Sequence, residues 1–387
     1  MSKIIKIICF LAFVTTSTLA YAVNVVSWGG AYTNSQKLGY GDPYAEKSGV
    51  EVNWIDYSGG LGAIKAQVES GAIEWDIIDV YAFESIQGCD EGLFVEFDFD
   101  NDFPAGVDGS KASDDFFTGG ANPLTDNPGG MPSKCAVGNI LYSWNYGYNT
   151  EIFGGNYNLP STIGDFFDKA KFAGKRGVYT GAMSNLEIAL MADGVASSDV
   201  YDVLDSDGGV ERALAKMTEL CSDDGCFFWS GGAQPPEALV AKEVSMSTAW
   251  NGRLFNAIVG ENSPIKMVWD GQILDYQYMV LVNGGPNQAE AMDALAYFTS
   301  SEGLAGSAKH ISYAPFRKSS LSLIQDPWYE GGPDGKVDIM PHMPTAPANL
   351  ENHLLMNAEW WADNSTDVAD KWLSLIHISE PTRRTSI

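Results

Sequence analysis

The sequence predicts an α/β fold, and three observations carry that prediction. Short β-type runs alternate with helical patterns, no segment repeats at a short fixed period, and residues 51 to 80 read as a complete strand, helix, strand unit of the parallel kind. In that unit "EVNWI" (51 to 55) is the first strand, Leu61, Ile64 and Val68 share one helical face, and "WDIIDV" (75 to 80) is the returning strand. The run "VNVVS" precedes it and ends in "SWGGAY", residues 27 to 32. A Trp followed at once by two glycines is either a plug over core or a platform for something arriving from outside.

Further along, Leu186, Ala189 and Leu190 mark one helix and Leu214, Met217 and Leu220 another, while "VSMSTAW" (244 to 250) and "IKMVW" (265 to 269) are strands. Residues 98 to 130 form the long irregular stretch. Asp98, Asp100 and Asp102 imitate the start of a calcium loop, but Phe103 sits where the sharp turn needs Gly and Gly109 where the bidentate Glu belongs. A solvated acidic loop is expected there. Two turns echo each other: Ser58-Gly59-Gly60 before the helix at Leu61, and Ser230-Gly231-Gly232 after "FFW" and before a helix near Pro235. They read either as paired anion sites at helix N-termini or as ordinary Ser-capped helix starts.

Both ends of the chain are read as lying outside the fold. Residues 1 to 22 carry Lys3 and Lys6, an apolar stretch too short to span a bilayer, and Ala20-Tyr21-Ala22, which is the pattern of a secretory signal cleaved after Ala22. Residues 373 to 387 open with "LSLIHISEPTR", which matches the translation of a transposase adapter used in sequencing libraries, so the native chain is expected to run only to Trp372 before its own missing C-terminus. The 387-residue chain has a formal net charge of −27, which excludes nucleic acid as a partner. Four cysteines remain after the signal. In an exported chain they read as two disulfides, Cys221 with Cys226 across the acidic turn "SDDG", and Cys89 with Cys135 by exclusion. Their spacing lacks the two short ligand pairs of a zinc site.

No catalytic set can be assembled. Beyond the expected signal and before the tail the chain has only His310, His342 and His353, and it has no H-E-x-x-H pair, no G-x-S-x-G elbow and no phosphate-cradling glycine loop. His342 and His353 are expected to cap or pack locally. No cofactor is expected.

The motifs "SWGGAY", "ESGAIEWDIIDV", "GCDEGLF" with "KCAVGNILYSW", "LEIALMADGV", "SGGAQPPEAL", "AWNGR" and "NAEWWADN" occur in an order and spacing that together resemble the periplasmic solute-binding proteins of ABC importers, of the spermidine/putrescine type. The resemblance implies a two-lobed periplasmic-binding-protein fold of type II, each lobe a mixed sheet flanked by helices, with the ligand between them. It implies lobe one at 23–138 plus 279–325, lobe two at 139–275 and C-terminal helices at 326–372, with crossings in "NILYSWNYGY" and "ILDYQYMVLV". It further implies a monomer in the periplasm that delivers a small amine-bearing solute to an inner-membrane permease.

By the same resemblance Trp28 stands on the ligand, Gly29 and Gly30 let the backbone approach it, and Trp250 supplies the opposing wall. Tyr32, Trp229 and Asn251, which flank these motifs, join the candidate set with Ser58, Gly59, Gly60, Ser230 and Gly231. The chain departs from the polyamine pattern in putting Asp275 at the aromatic position of the second crossing, Gln277 at the acidic one, and Arg253 directly after the shared W-N-G. A buried Arg repels a dication and suits a carboxylate. The expected ligand is therefore a zwitterion such as an ω-amino acid, with its carboxylate on Arg253 and the two turns and its ammonium on Asp275 and the Trp28 and Trp250 faces. The alternatives are that Arg253 salt-bridges Asp275 or Asp270 as scaffold, that the ligand is putrescine or spermidine, and, further off, that the chain is a secreted enzyme.

Overall fold

The computed structural model describes residues 22–116, 133–153, 158–325 and 327–379. Residues 1–21 of the expected signal (1–22), residues 117–132 of the acidic stretch and residues 380–387 of the tail lie outside the described residues. Ten strands form one sheet: β1 (Ala22–Ser27), β2 (Glu51–Asp56), β3 (Ile77–Tyr81), β4 (Ala136–Asn149), β5 (Arg176–Tyr179), β6 (Cys226–Trp229), β7 (Met246–Trp250), β8 (Ile265–Leu281), β9 (Ala314–Pro315) and β10 (His353–Leu355).

Their order, β2-β1-β3-β8-β4-β7-β5-β6, has an internal symmetry. A parallel trio, β2-β1-β3, is closed by antiparallel β8, and a second parallel trio, β6-β5-β7, is closed by antiparallel β4. The two long strands β4 and β8 then pair with each other and join the halves. β3 is buried at every position, with Ile77, Ile78, Val80 and Tyr81 around the single carboxylate Asp79, whereas the edge strand β2 is partly exposed. Each half has its own core: Val23, Val25, Ile77, Ile78 and Val280 in the first, Val178, Leu186, Leu190, Met217 and Trp229 in the second.

Sequence reading split "IKMVW" from "ILDYQYMVLV", whereas β8 is a single 17-residue strand running through both. Within it Gly271 takes the left-handed region at φ +73°, which a glycine adopts without strain. The helix Asn185–Ala192 buries Leu186, Ala189 and Leu190, and Gly209–Cys221 buries Met217 and Leu220. In the helix Gly62–Ser70 only Ile64 of the expected face is fully buried, with Leu61 at the cap and Val68 partly covered. Past residue 326 the chain runs through two single 3₁₀ turns, pairs β10 with β8, and ends in one long helix, Ala358–Ser379. That helix touches both halves: Gln87 donates to Ala362 O at 2.7 Å, and the Trp372 indole donates to Thr180 O at 2.7 Å.

Disulfides join Cys89 to Cys135 and Cys221 to Cys226. In the acidic stretch Asp100 accepts the Ser113 N–H and Asp102 the Asp98 N–H, so these carboxylates act as local caps. Among the described residues no cluster of His, Cys, Asp and Glu could hold a metal, and no helix is long and apolar enough to cross a membrane.

Candidate ligand-binding cleft

The C-terminal ends of the parallel strands in both halves converge, the place where open α/β sheets bind ligands. Trp28 follows β1, Tyr81 ends β3, and Trp250 ends β7. With Tyr32, Ile140, Tyr142, Arg253, Gln277 and Tyr313 they line a narrow, mostly aromatic cavity.

The double glycine after Trp28 has a steric reason. Gly29 and Gly30 take φ +70° and +56°, and a Cβ on Gly30 would lie 2.9 Å from Arg253 Nη1. Arg253, on the short helix Asn251–Phe255 after β7, thus reaches across the cleft and donates from Nη2 to Gly29 O at 2.8 Å and Trp28 O at 3.3 Å. A Cβ on Gly232, on its other side, would stand 2.7 Å from Arg253 Nε. The guanidinium is buried, within hydrogen-bonding reach of the Tyr313 hydroxyl, and forms no salt bridge among the described residues. Desolvation depresses its pKa, while Tyr313, Tyr32 and Asp56 oppose that shift. The scaffold alternative is overturned: Asp270 accepts from Ile163 N–H and Asn352 Nδ2, and Asp275 accepts from Tyr142. Beyond Arg253 a larger cavity lies between Ala31, residues 232–241 and residues 256–263.

Among the described residues, buried donors at the cavity without a hydrogen-bond partner include Arg253 Nε and the indole Nε1 atoms of Trp28 and Trp250. Buried polar groups are nearly always bonded, so these are the groups to test for a ligand. Trp28 packs on Tyr57 and Tyr81, with ring centroids at 4.9 and 4.6 Å. Trp250 packs on Trp144 and Trp229 at 5.2 and 5.3 Å.

Carboxylates stand one residue behind this wall. Tyr32 Oη donates to Asp79 at 3.3 Å, and Gln36 Nε2 and Asn139 Nδ2 donate to the same carboxylate at 2.6 and 3.1 Å. Burial pushes Asp79 up to about 6, opposed by those hydrogen bonds. Burial likewise pushes Asp275 up to about 7 and Glu84 to about 7.

Several expected site residues do not line the cavity. Asp275 lies behind Tyr142 rather than on the surface. Trp229 is fully buried in the second core, and Asn251 is scaffold, accepting Ser143 N–H at 2.9 Å and donating to Ser312 O at 2.7 Å. The two Ser-Gly-Gly turns are also elsewhere engaged. Gly60 N–H goes to Glu84 Oε1 at 2.7 Å, and Ser230 and Gly231 N–H both go to Gln234 Oε1 at 2.8 Å, so local acceptors take the donors offered to an anion. Ser58 is exposed and Gly59 packs against the Trp28 ring. In their place the fold brings Tyr81, Ile140, Tyr142 and Tyr313, none of which was singled out from sequence.

The sequence profile described as "Bacterial extracellular solute-binding protein" matches residues 39–335. A γ-aminobutyric acid-binding protein of Pseudomonas aeruginosa is 33% identical over 351 residues, covering 91% of this chain and 90% of that one. Among solved structures, an ABC transporter substrate-binding protein of Bradyrhizobium japonicum USDA 110 aligns at TM-score 0.74 and 27% identity, and the Atu4243 GABA receptor at 0.73 and 26%, over 92% of this chain and 99% and 97% of theirs. Neighbours titled as spermidine/putrescine transporter proteins, of Streptococcus pneumoniae and Listeria monocytogenes, are 13% and 14% identical and share the fold alone, so the narrower polyamine subtype read from sequence is replaced by the broader family. The fold is the two-lobed one of these binding proteins, and they are solute binders rather than enzymes. The chain belongs to the bacterial extracellular solute-binding protein family.

Proposed function

We propose that this chain is the periplasmic receptor of an ABC importer for a small zwitterion, an ω-amino acid of the γ-aminobutyrate kind, and that it hands this ligand to an inner-membrane permease. The observation that carries the reading is Arg253, a buried cation at the cavity with no carboxylate partner and an unpaired Nε. An uncompensated buried charge is strongly unfavourable, and a ligand carboxylate relieves it with a charge-assisted pair. The indole N–H groups of Trp28 and Trp250 add donors to that same end, while the aromatic walls suit an alkyl chain and an ammonium. The relatives named for γ-aminobutyric acid support the same ligand class.

In this reading the signal is cleaved after Ala22 and the mature protein works as a monomer. The lobes are 23–138 plus 279–325 and 139–275, with 326–372 returning across them. That division is supported by the two half-sheets and by a C-terminal helix that touches both.

Isothermal titration calorimetry of the domain freed of bound ligand by refolding tests the reading. We expect γ-aminobutyrate to bind more tightly than putrescine, and Arg253→Ala to weaken it by roughly a hundredfold, the scale of a lost charge-assisted pair. Intact γ-aminobutyrate affinity in Arg253→Ala, or wild-type preference for putrescine over every zwitterion tried, would overturn it.

A further inference from the structure

The first Ser-Gly-Gly turn gives its donor to a buried carboxylate, and that carboxylate accepts from a second segment as well. Glu84 is the third residue of the helix Ala82–Asp90, which starts where β3 ends. Its Oε1 accepts the Gly60 N–H at 2.7 Å and its Oε2 the Tyr81 N–H at 3.0 Å. One buried side chain thus fastens an exposed turn to the end of β3, and both of its oxygens are spent on backbone donors.

Both fastened segments touch Trp28. The Tyr81 ring packs on the indole with centroids 4.6 Å apart. A Cβ on Gly59 would lie 3.0 Å from Trp28 Cη2 and 3.5 Å from Glu84 Oε1, so the bare backbone of the turn lies between the indole and the carboxylate. Tyr57 completes the sleeve, its ring 4.9 Å from the indole and its hydroxyl donating to Asp79 O. The indole Nε1 has no partner among the described residues. With no hydrogen bond of its own to fix it, the Trp28 ring takes its angle from the surfaces packed against it.

Resting on the reading that Trp28 contacts the solute, we propose that Glu84 is the positioning residue of the Trp28 platform, holding Gly60 and Tyr81 together and so setting the angle at which the indole meets the ligand. Glu84 does not line the cavity and acts through these two backbone groups alone. The task needs two acceptors and no donor, which an ionised carboxylate supplies. Gln has one acceptor and would turn an amide N–H toward one of the two backbone donors, and Asp is a methylene too short to span both.

A double-mutant cycle with γ-aminobutyrate tests this, by calorimetry at pH 8, above the value of about 7 to which burial pushes the Glu84 carboxyl. Trp28→Ala is expected to weaken binding roughly tenfold and Glu84→Gln roughly three- to tenfold, while the double variant is no weaker than Trp28→Ala alone, because without the indole there is nothing to position. Near-ultraviolet circular dichroism supplies the signature. The difference spectrum between proteins with and without the Trp28 indole should shrink in the Glu84→Gln background, with the far-ultraviolet spectrum unchanged. Losses that multiply in the double variant, as a merely structural role would give, or unchanged γ-aminobutyrate affinity in Glu84→Gln, would overturn the proposal. If Glu84→Gln does not fold, Glu84→Asp must show the same lack of additivity with Trp28→Ala. A wild type that prefers putrescine sinks the zwitterion reading, and the same cycle run with putrescine then decides the role of Glu84. If neither ligand binds, that reading fails too, and an undiminished difference spectrum in Glu84→Gln overturns the positioning role without any ligand.

Discussion

On the side of the first half-sheet, Trp28, Tyr32 and Tyr81 stand in front of two buried carboxylates, Asp79 and Glu84, each held by several hydrogen bonds. On the side of the second, Trp250 stands in front of an apolar stack of Trp144, Tyr179 and Trp229, and the charge that side sends to the cavity is the cation of Arg253. One wall is therefore backed by buried carboxyl groups and the other carries a positive charge. A ligand that bears both signs satisfies both walls when the lobes meet, whereas a dication or a simple acid satisfies one. The guanidinium also bonds the backbone of the opposite wall, so the residue proposed to hold the ligand carboxylate closes the cleft as well.

The sharpest way to break this comparison is to hollow out each wall in turn. Trp229 is fully buried, with Tyr179 at 5.0 Å and Trp250 at 5.3 Å between ring centroids. Trp229→Ala should lower stability by about 3 to 5 kcal/mol, as large core truncations do, read by denaturant unfolding. Trp28 is only partly buried, so Trp28→Ala should cost clearly less stability while weakening γ-aminobutyrate by roughly tenfold through the lost ring contact. The reverse ordering would mean that Trp28 is the core residue and Trp250 with its stack the platform.

The disulfides extend the contrast from the walls to the lobes. Cys89–Cys135 closes a separation of 46 residues and Cys221–Cys226 one of 5. Chain-entropy reasoning assigns about 4 kcal/mol to the first and about 2 kcal/mol to the second. Paired Cys→Ser variants should therefore leave the Cys221–Cys226 knockout the more stable of the two. Equal losses would show that local packing, rather than loop closure, sets the value of each bridge.

How much of this was legible in sequence depended on how local the cause was. "SWGGAY" pointed to Trp28 because a strand end, an aromatic and two positive-φ glycines are all within one turn of chain. Tyr81 obeys the same logic, ending β3 one residue past the quoted "WDIIDV", and the rule used for Trp28 would have found it. Tyr142 and Asp275 could not be paired in advance, since their opposition is fixed by a β4–β8 register that shifts at irregularities between Gly138 and Ile140 and between Trp144 and Tyr146. The Ser-Gly-Gly turns misled for the opposite reason. Their N–H groups are real donors, but Glu84 and Gln234, neither adjacent to the motif's three residues, reach them first.

The smallest effect concerns a carboxylate of the second lobe that resembles those of the first without being saturated. Glu187 is fully buried; its Oε1 accepts the Trp361 indole at 2.7 Å and the Tyr201 hydroxyl at 3.0 Å, while Oε2 has no partner. Burial pushes its carboxyl from 4.5 up to about 7. A carboxyl raised on folding holds a proton that the unfolded chain has already released, so its stabilising contribution is full below about 4.5 and is lost as pH climbs through about 7. Glu187→Gln keeps the Oε1 acceptor and cannot ionise. The variant should match wild type near pH 5 and exceed it near pH 8 by on the order of 1 to 3 kcal/mol, giving a flatter stability curve between those values. Asp79→Asn, by contrast, would turn an amide N–H toward the donors of Gln36, Asn139 or Tyr32 and should destabilise at both pH values. Thermal unfolding of the three proteins across that range decides the matter: parallel curves for wild type and Glu187→Gln would place the Glu187 charge in contact with solvent and erase the distinction between the two kinds of buried carboxylate.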